Sequence, residues 1–281
     1  NRVDFSDLYN KPKIKEIIDN ASIALMNTKA SGGNSEYKSY ATLGWGTRAE
    51  AAHNTSTFYN LNDDIIAIYK RRLGDIAEKE GVINININKL IQQNIQGDFS
   101  ASPGILGDLL RQHDYKTAVI GNSDIEQEEL RPHGFISMDS RGYIDYGTVE
   151  NTLIKENRFS PFGIQTDYEY LLDSFINIYE KADFIVIDTG DTNRLDRYKQ
   201  NLTEKTYQVH KNNVLENIDE FIANICNNID FNRTILMIVT PYPSDYASSN
   251  GQRLTPVIIY NNYETGGILW SATTRRAGIV A

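Results

Sequence analysis

A chain of 281 residues, 40% hydrophobic and 23% charged, can bury a full core and has the composition of a soluble globular protein. Its formal net charge of −9 argues against a nucleic-acid backbone or an anionic membrane surface as partner, but leaves a small anionic ligand open, because one local pocket can be positive on an acidic protein. A single cysteine, Cys226, excludes an internal disulfide and a cysteine-rich zinc site; no run approaches the roughly 18 apolar residues of a membrane span, and no signal peptide is visible.

Asn1 to Phe5 is too short to classify, though it could be the tail of a strand. Ile14, Ile17 and Ile18 are spaced for a helix over 13–20. Ser22–Asn27 reads as a buried strand. After it comes a glycine-rich loop, Gly32-Gly33-Asn34-Ser35-Glu36, running through Ser39, Thr42, Gly44 and Gly46 to Thr47 and Arg48. Ala49-Glu50-Ala51-Ala52 then has helix-forming composition. Over 62–80, Ile65, Ile66, Tyr69, Leu73, Ile76 and Ala77 fit one helical face, with Asp63 and Asp64 in the favourable first turn and Gly81 as the stop. Residues 82–88 alternate isoleucine with asparagine, the period of a strand, and 90–95 reads as a short helix or loop.

Residues 104–113 predict a helix with Ile105, Leu106, Leu109 and Leu110 inward, and 116–121 a buried parallel strand ending in a glycine turn. The turn-rich segment 131–161 reads as loops and a hairpin, an insertion over one sheet edge. A helix over 168–181 turns Leu171, Leu172, Phe175, Ile176 and Tyr179 inward. A second buried strand, 184–187, ends in Asp188-Thr189-Gly190-Asp191. The longest helix, 204–229, carries a stripe of Tyr207, Val214, Ile218, Phe221, Ile222, Ile225 and Ile229. A third strand over 234–239 is closed by Thr240-Pro241-Tyr242-Pro243, and 257–260 and 267–270 are further strands.

Alternating helices and continuously apolar strands predict one α/β domain over 1–281, with a parallel sheet covered on both sides. Ligands of such sheets bind beyond the carboxyl ends of the strands. Three segments fall there: the Ser35 loop, the Asp188/Asp191 turn and the Pro241-Tyr242-Pro243 turn. A strand, a glycine-rich loop bearing a serine and a helix start can present a hydroxyl beside free N–H groups that face an anion; a polar surface turn uses the same residues. Two aspartates three residues apart can hold a divalent cation, and a nearby serine can be the nucleophile it activates; aspartates are equally at home in turns and helix caps. Arg48, Arg194, Arg275 and Arg276 are candidates to clamp an oxyanion. His53, His113, His133 and His210 lie on different elements without metal-ligand spacing, and no nucleophile-elbow motif is present. Cys226, at an apolar helix position, reads as a buried inert thiol.

These pieces resemble the alkaline phosphatase superfamily, which includes sulfatases, nucleotide pyrophosphatases and cofactor-independent phosphoglycerate mutases. Gly33-Asn34-Ser35-Glu36 followed by Gly44-Trp45-Gly46-Thr47-Arg48 resembles the mutases' nucleophile loop, with one extra residue between serine and glycine. Leu109-Leu110-Arg111-Gln112-His113-Asp114-Tyr115-Lys116-Thr117-Ala118-Val119-Ile120-Gly121 is similar to a helix-to-strand segment of sulfatases. The stretch from Asp183 to Asp191 resembles the strand whose end supplies a metal-binding aspartate. The resemblance implies a three-layer α/β/α sandwich with a central, mostly parallel sheet. It also implies two metal ions and phosphoryl or sulfuryl transfer through Ser35, with Asn34, Arg48 and Arg194 on the substrate side and Asp188 and Asp191 on the metal side.

The sequence departs from that pattern at the metal ligands. The family's first strand ends in a metal-binding aspartate where this chain has Asn1. Its Asp-His pair is replaced by Thr240-Pro241-Tyr242-Pro243-Ser244, Leu195 stands where a histidine is expected, and no histidine follows His210. A pair of adjacent cations needs several carboxylates and imidazoles, so the expected cofactor is none, or one weakly held divalent cation (Zn, Mn or Mg). The leading expectation is a domain that has lost its two-metal centre and acts as a binding or scaffolding module. The alternative is a metal-dependent phosphoric or sulfuric ester hydrolase or transferase. The missing initial methionine and the apolar run ending at Ala281 suggest a chain cut at both ends. The resemblance, with an Asn-, Ile- and Lys-rich composition, points to an extracytoplasmic or membrane-tethered bacterial protein, attached only through segments outside 1–281.

Overall fold

The computed structural model describes residues 1–33, 35–74, 76, 78–263 and 266–269, so the expectations placed on Asn34, Ala77, Trp270, Arg275 and Arg276 lie outside the described residues. In chain order the strands are β1 (Ser22–Asn27), β2 (Phe58–Asn60), β3 (Val82–Asn84), β4 (Thr117–Gly121), β5 (Tyr143–Ile144), β6 (Tyr146–Thr148), β7 (Ile154–Glu156), β8 (Ile164–Thr166), β9 (Phe184–Asp188), β10 (Leu236–Val239), β11 (Leu254–Tyr260) and β12 (Gly267–Ile268). Helices alternate with them in the expected mixed α/β manner. The chain divides into two compact units, one of Ala30–Asn157 with Ile164–Gly190, the other of Asn1–Lys29, Arg158–Gly163 and the residues from Asp191 onward.

The first unit holds a three-stranded parallel sheet. β4 lies between β6 and β9, parallel to both, with Gly121 opposite Asp188. Thr117-Ala118-Val119-Ile120-Gly121 is buried along its whole length, as a strand with two neighbours and two covered faces should be. β9 is half-buried until Asp188, which is buried. An antiparallel sheet runs β2-β3-β5, and β7 pairs with β8. The 131–161 segment therefore supplies β5 and β6 to two sheets, rather than loops and a hairpin alone. Its core gathers Tyr40, Trp45, Phe58, Leu90, Val119 and Phe135. Phe135 meets Trp45 and Phe58 edge-on, with ring centroids 5.8 and 5.4 Å away, and its carbonyl accepts the Trp45 indole N–H at 3.1 Å.

Several helix expectations are corrected here. The helix after the serine loop is Glu36–Trp45, and Ala49-Glu50-Ala51-Ala52 is not helical. Propensity for 49–52 yields to the turn at Gly46, where the chain leaves the helix with φ +68°. The helix expected over 62–80 is Asp63–Leu73, capped by the Asn62 side chain on the Ile65 N–H and ended at Gly74 rather than Gly81. The isoleucine–asparagine alternation is strand only over Val82–Asn84; from Ile87 the chain is a helix, Ile87–Ile95. In the helix Ile105–Gln112, Ile105 and Leu109 are exposed instead of inward, while Gly107 is buried.

The second unit pairs a sheet ordered β10-β11-β1-β12 with helices. β11 runs antiparallel to both β1 and β10, while β12 is parallel to β1, so this sheet is mixed rather than the parallel one that the continuous apolar runs suggested. Leu25 and Met237 are exposed. The long helix Glu204–Asn227 buries Tyr207, Val214, Ile218, Phe221 and Ile225 from its predicted stripe. From the same helix, buried Asp219 accepts the backbone N–H groups of Lys13 (3.3 Å) and Ile14 (2.7 Å), satisfying the start of the helix Pro12–Ile18.

Candidate functional site

Ser35 occupies the N-cap position of Glu36–Trp45, half-buried and extended at φ −154°, and its hydroxyl makes no capping hydrogen bond. Its carbonyl accepts the Ser39 N–H at 3.0 Å and the Ser39 hydroxyl at 3.1 Å. The nearby cation is committed: the Lys38 ammonium lies 2.7 Å from the Glu50 carboxylate and donates to the Ser31 carbonyl at 3.0 Å. Burial would raise the Glu50 carboxyl, but the Lys38 ammonium beside it holds it below its ordinary value. Arg48 lays its guanidinium over Phe99, 5.2 Å from the ring centroid.

At the carboxyl ends of β4 and β9, in the same unit, lies a buried polar cluster that the sequence reading did not assemble. Gly121 makes it possible: at φ +105° it brings the chain so close that an added Cβ would stand 1.9 Å from the Asp188 carbonyl oxygen. The Ser123 hydroxyl donates to Asp188 Oδ2 at 2.8 Å, and the Gly190 N–H donates to Oδ1 at 3.2 Å. Arg131 donates from Nε (3.0 Å) and Nη2 (2.7 Å) to Asp124 Oδ2, and from Nη1 to the Phe58 carbonyl at 2.7 Å. The second Asp124 oxygen accepts the Leu130 N–H at 2.7 Å.

His133, 1% exposed, has Nδ1 3.8 Å from Asp188 Oδ2, beyond hydrogen-bond range. Burial pushes its imidazole below the ordinary value, against the pull of the Asp188 and Asp124 carboxylates. Ser123, Asp124 and Asp188 are likewise buried, so the cluster ties strand ends together more readily than it meets a substrate. One sequence signal could have found part of it: Asn122-Ser123-Asp124 directly follows the glycine that ends a buried parallel strand. Nothing local marks Arg131 or His133 as their partners.

In the second unit, Asp191 opens the helix Asp191–Tyr198, and its Oδ1 accepts from Arg194 Nη1 at 2.8 Å. Those side chains are 6% and 1% exposed, so the structure places this guanidinium on a carboxylate of its own helix. The turn after β10 is tied to the start of the chain: the Tyr242 N–H donates to Asn1 Oδ1 at 3.1 Å, and the Arg2 N–H donates to the Tyr242 carbonyl at 2.8 Å. Arg2 Nη1 also donates to Asp196 Oδ2 (2.5 Å) and Asp245 Oδ1 (2.7 Å), and the Asp245 N–H donates to the same Asp196 oxygen at 2.9 Å. Burial, with Asp196 next, pushes the Tyr207 phenol up to about 12.

Ser35, Arg48 and Asp188 thus belong to one unit, and Asp191 and Arg194 to the other. Among the described residues, no group of three or more His, Cys, Asp or Glu side chains is placed to hold a metal ion. The residues fit a dinuclear centre poorly on donor chemistry as well: both oxygens of Asp188 and one of Asp191 already accept from the chain's own donors. His53 approaches Glu128 at 3.4 Å on its own surface segment. Cys226 is half-buried, its thiol pushed up to about 11 by burial. No helix among the described residues is long and apolar enough to cross a membrane.

No protein-family model matches the sequence, and no curated protein matches it. Solved structures do. A protein in the alkaline phosphatase superfamily from Vibrio parahaemolyticus superposes with a TM-score of 0.51 at 10% identity, over 92% of this chain and 56% of that one. The lipoteichoic acid synthase LtaP from Listeria monocytogenes gives a TM-score of 0.49 at 12% identity, over 92% of this chain and 61% of its own. The chain therefore spans less than two thirds of the length of either structure.

Proposed function

Since the chain carries the fold of the alkaline phosphatase superfamily, we propose that it is a version of that fold without the two-metal ester chemistry, working as a binding or scaffolding module. The observation that supports this is the state of the two aspartates expected on the metal side. Asp188 is held by the Ser123 hydroxyl and the Gly190 N–H, and Asp191 by a buried guanidinium. A carboxylate already neutralised by an internal arginine has little to gain from a metal ion, which would have to displace that buried guanidinium. Leu195 and the turn Thr240-Pro241-Tyr242-Pro243 support it further, because they offer no imidazole where the resemblance expects one.

The ligand class this reading favours is a small anion at the start of the helix Glu36–Trp45, where the Ser35 hydroxyl is not used as a cap. An extracytoplasmic setting, with attachment through segments outside 1–281, belongs to the same reading. A thermal-shift screen against phosphorylated sugars and phospholipid head groups tests it. A ligand that raises the melting temperature of the wild type but not of Ser35→Ala is expected; silence across the screen would remove the anion and leave only protein partners.

The same hydroxyl, which makes no capping hydrogen bond, is the observation that favours the alternative, an ester hydrolase or transferase with Ser35 as nucleophile. Chromogenic phosphate monoester, diester and sulfate ester substrates separate the two readings. Turnover that disappears in Ser35→Ala would establish the alternative.

A further inference from the structure

Among the described residues, β10 has β11 as its single strand neighbour, because the order β10-β11-β1-β12 leaves its other side open. The Thr240 N–H donates to the Pro256 carbonyl at 3.2 Å, which fixes the phase of the antiparallel ladder. Leu236 and Ile238 therefore bond toward β11, and the backbone groups of Met237 and Val239 point to the open side. Among the described residues no hydrogen bond takes those outward groups. Edge strands are usually guarded by a charge, a proline or a bulge. Ile235-Leu236-Met237-Ile238-Val239 carries no charge and no proline, and Ile235 and Met237 are 61% and 53% exposed.

The start of the chain makes part of a rung just beyond this strand. The Arg2 N–H donates to the Tyr242 carbonyl at 2.8 Å, which is one half of a parallel rung between Asn1 and Tyr242. The other half of such a rung carries the Tyr242 N–H to the carbonyl of a residue before Asn1. Here the Asn1 side-chain oxygen takes that N–H at 3.1 Å, standing where a backbone carbonyl would stand. An antiparallel rung would instead join the Tyr242 N–H to the Arg2 carbonyl. We propose that the open side of β10 docks one further strand, parallel to it and supplied by chain on the amino side of Asn1. Three extended residues span about 10 Å, so a strand ending at Asn1 runs back from Tyr242 along Val239 and Met237. Half-buried Leu236, Ile238 and Val239 and exposed Met237 favour β-branched apolar residues in it. The docking edge involves none of Ser35, Asp188 and Asp191 and goes beyond the scaffolding reading.

The purified 281-residue chain is compared with two forms extended before Asn1 by about six residues, one of alternating valine and threonine, the other of glycine and serine. Hydrogen exchange at the Met237 and Val239 amides is read by nuclear magnetic resonance, beside thermal melting and light scattering. The valine–threonine extension is expected to slow both amides by roughly tenfold or more and to raise the melting temperature; the glycine–serine extension is expected to do neither. Met237→Pro removes one outward N–H without touching a bond to β11, and Val239→Pro removes the other, so each should abolish the gain in melting temperature. Unchanged exchange in the valine–threonine form, equal slowing by both extensions, or a gain that survives both proline variants would overturn the proposal. Slowing that grows with protein concentration, together with a dimer, would overturn it as well, since the occupant would then be β10 of a second copy. The two extensions decide the outcome even where a proline variant does not fold. None of these readouts involves ester turnover or anion binding, so they stand or fall apart from the proposed function.

Discussion

Arg194 and Asp191 form the most deeply buried ion pair among the site residues, and their energetics follow from burial. Removing the guanidinium alone takes a charged partner from a buried carboxylate. Arg194→Ala is therefore expected to lower unfolding stability by about 3–5 kcal/mol in urea melts, whereas Arg194→Met with Asp191→Leu, which removes both charges, regains most of the loss. A single-variant loss below about 1 kcal/mol would mean that the pair is solvated in solution. His133 makes a pH prediction whose sign is fixed by burial, which lowers its folded value below that of the unfolded chain. The unfolded state then binds the proton more readily, so stability falls as pH drops below about 6.5, with a slope of at most about 1.4 kcal/mol per pH unit until the folded imidazole also titrates. His133→Gln should flatten that part of the profile; an unchanged slope would assign it to other groups. The Glu50 and Glu78 carboxyls, both held below their ordinary values, act in the opposite sense to a raised group and lose their contribution only at lower pH, as each is protonated.

The element that best joins sequence to packing is the helix Glu36–Trp45. A Cβ added at Gly44 would stand 2.5 Å from the Phe135 carbonyl oxygen, in the middle of the Trp45–Phe135–Phe58 stack, whereas one added at Gly46 meets nothing within 4 Å. Gly44→Ala is expected to cost about 1–3 kcal/mol through overpacking. Gly46→Ala should cost about 1 kcal/mol or so through its left-handed backbone alone. Chemical denaturation gives the order, and a larger loss at Gly46 would contradict this packing. Apolar runs made β1, β4, β9 and β10 legible, and period the helix Glu204–Asn227. Burial accounts directly only for β4 and the helix stripe, since β9 is half-buried and β10 has no buried residue. Strand direction was not legible: Leu236 to Val239 reads the same whether its neighbour is parallel or antiparallel, and only the pairing with β11 decides. Nor was the helix over 49–52 excluded by composition, since what stops it is a turn one segment earlier.

For the whole molecule, a likeness that covers 92% of the chain at 10% identity means that a similar fold is built here from almost entirely different residues. The candidate site was legible only in part, for a physical reason. Ser35, Asp188, Asp191 and Arg194 stand out because polar residues at strand ends and helix starts are visible locally. Their partners are set by contacts far apart in sequence, such as Ser123 with Asp188 and Arg2 with Asp196, separated by 65 and 194 positions. Those long-range partners carry the functional reading, since they decide whether a carboxylate remains available to an ion. Elemental analysis of the purified chain for zinc, manganese and magnesium, run beside turnover of chromogenic phosphate and sulfate esters with each metal added, measures this most directly. The account predicts no stoichiometric metal at Asp188 and Asp191 and no turnover above that of Ser35→Ala. Two metal ions per chain, with ester hydrolysis that Ser35→Ala abolishes, would contradict it.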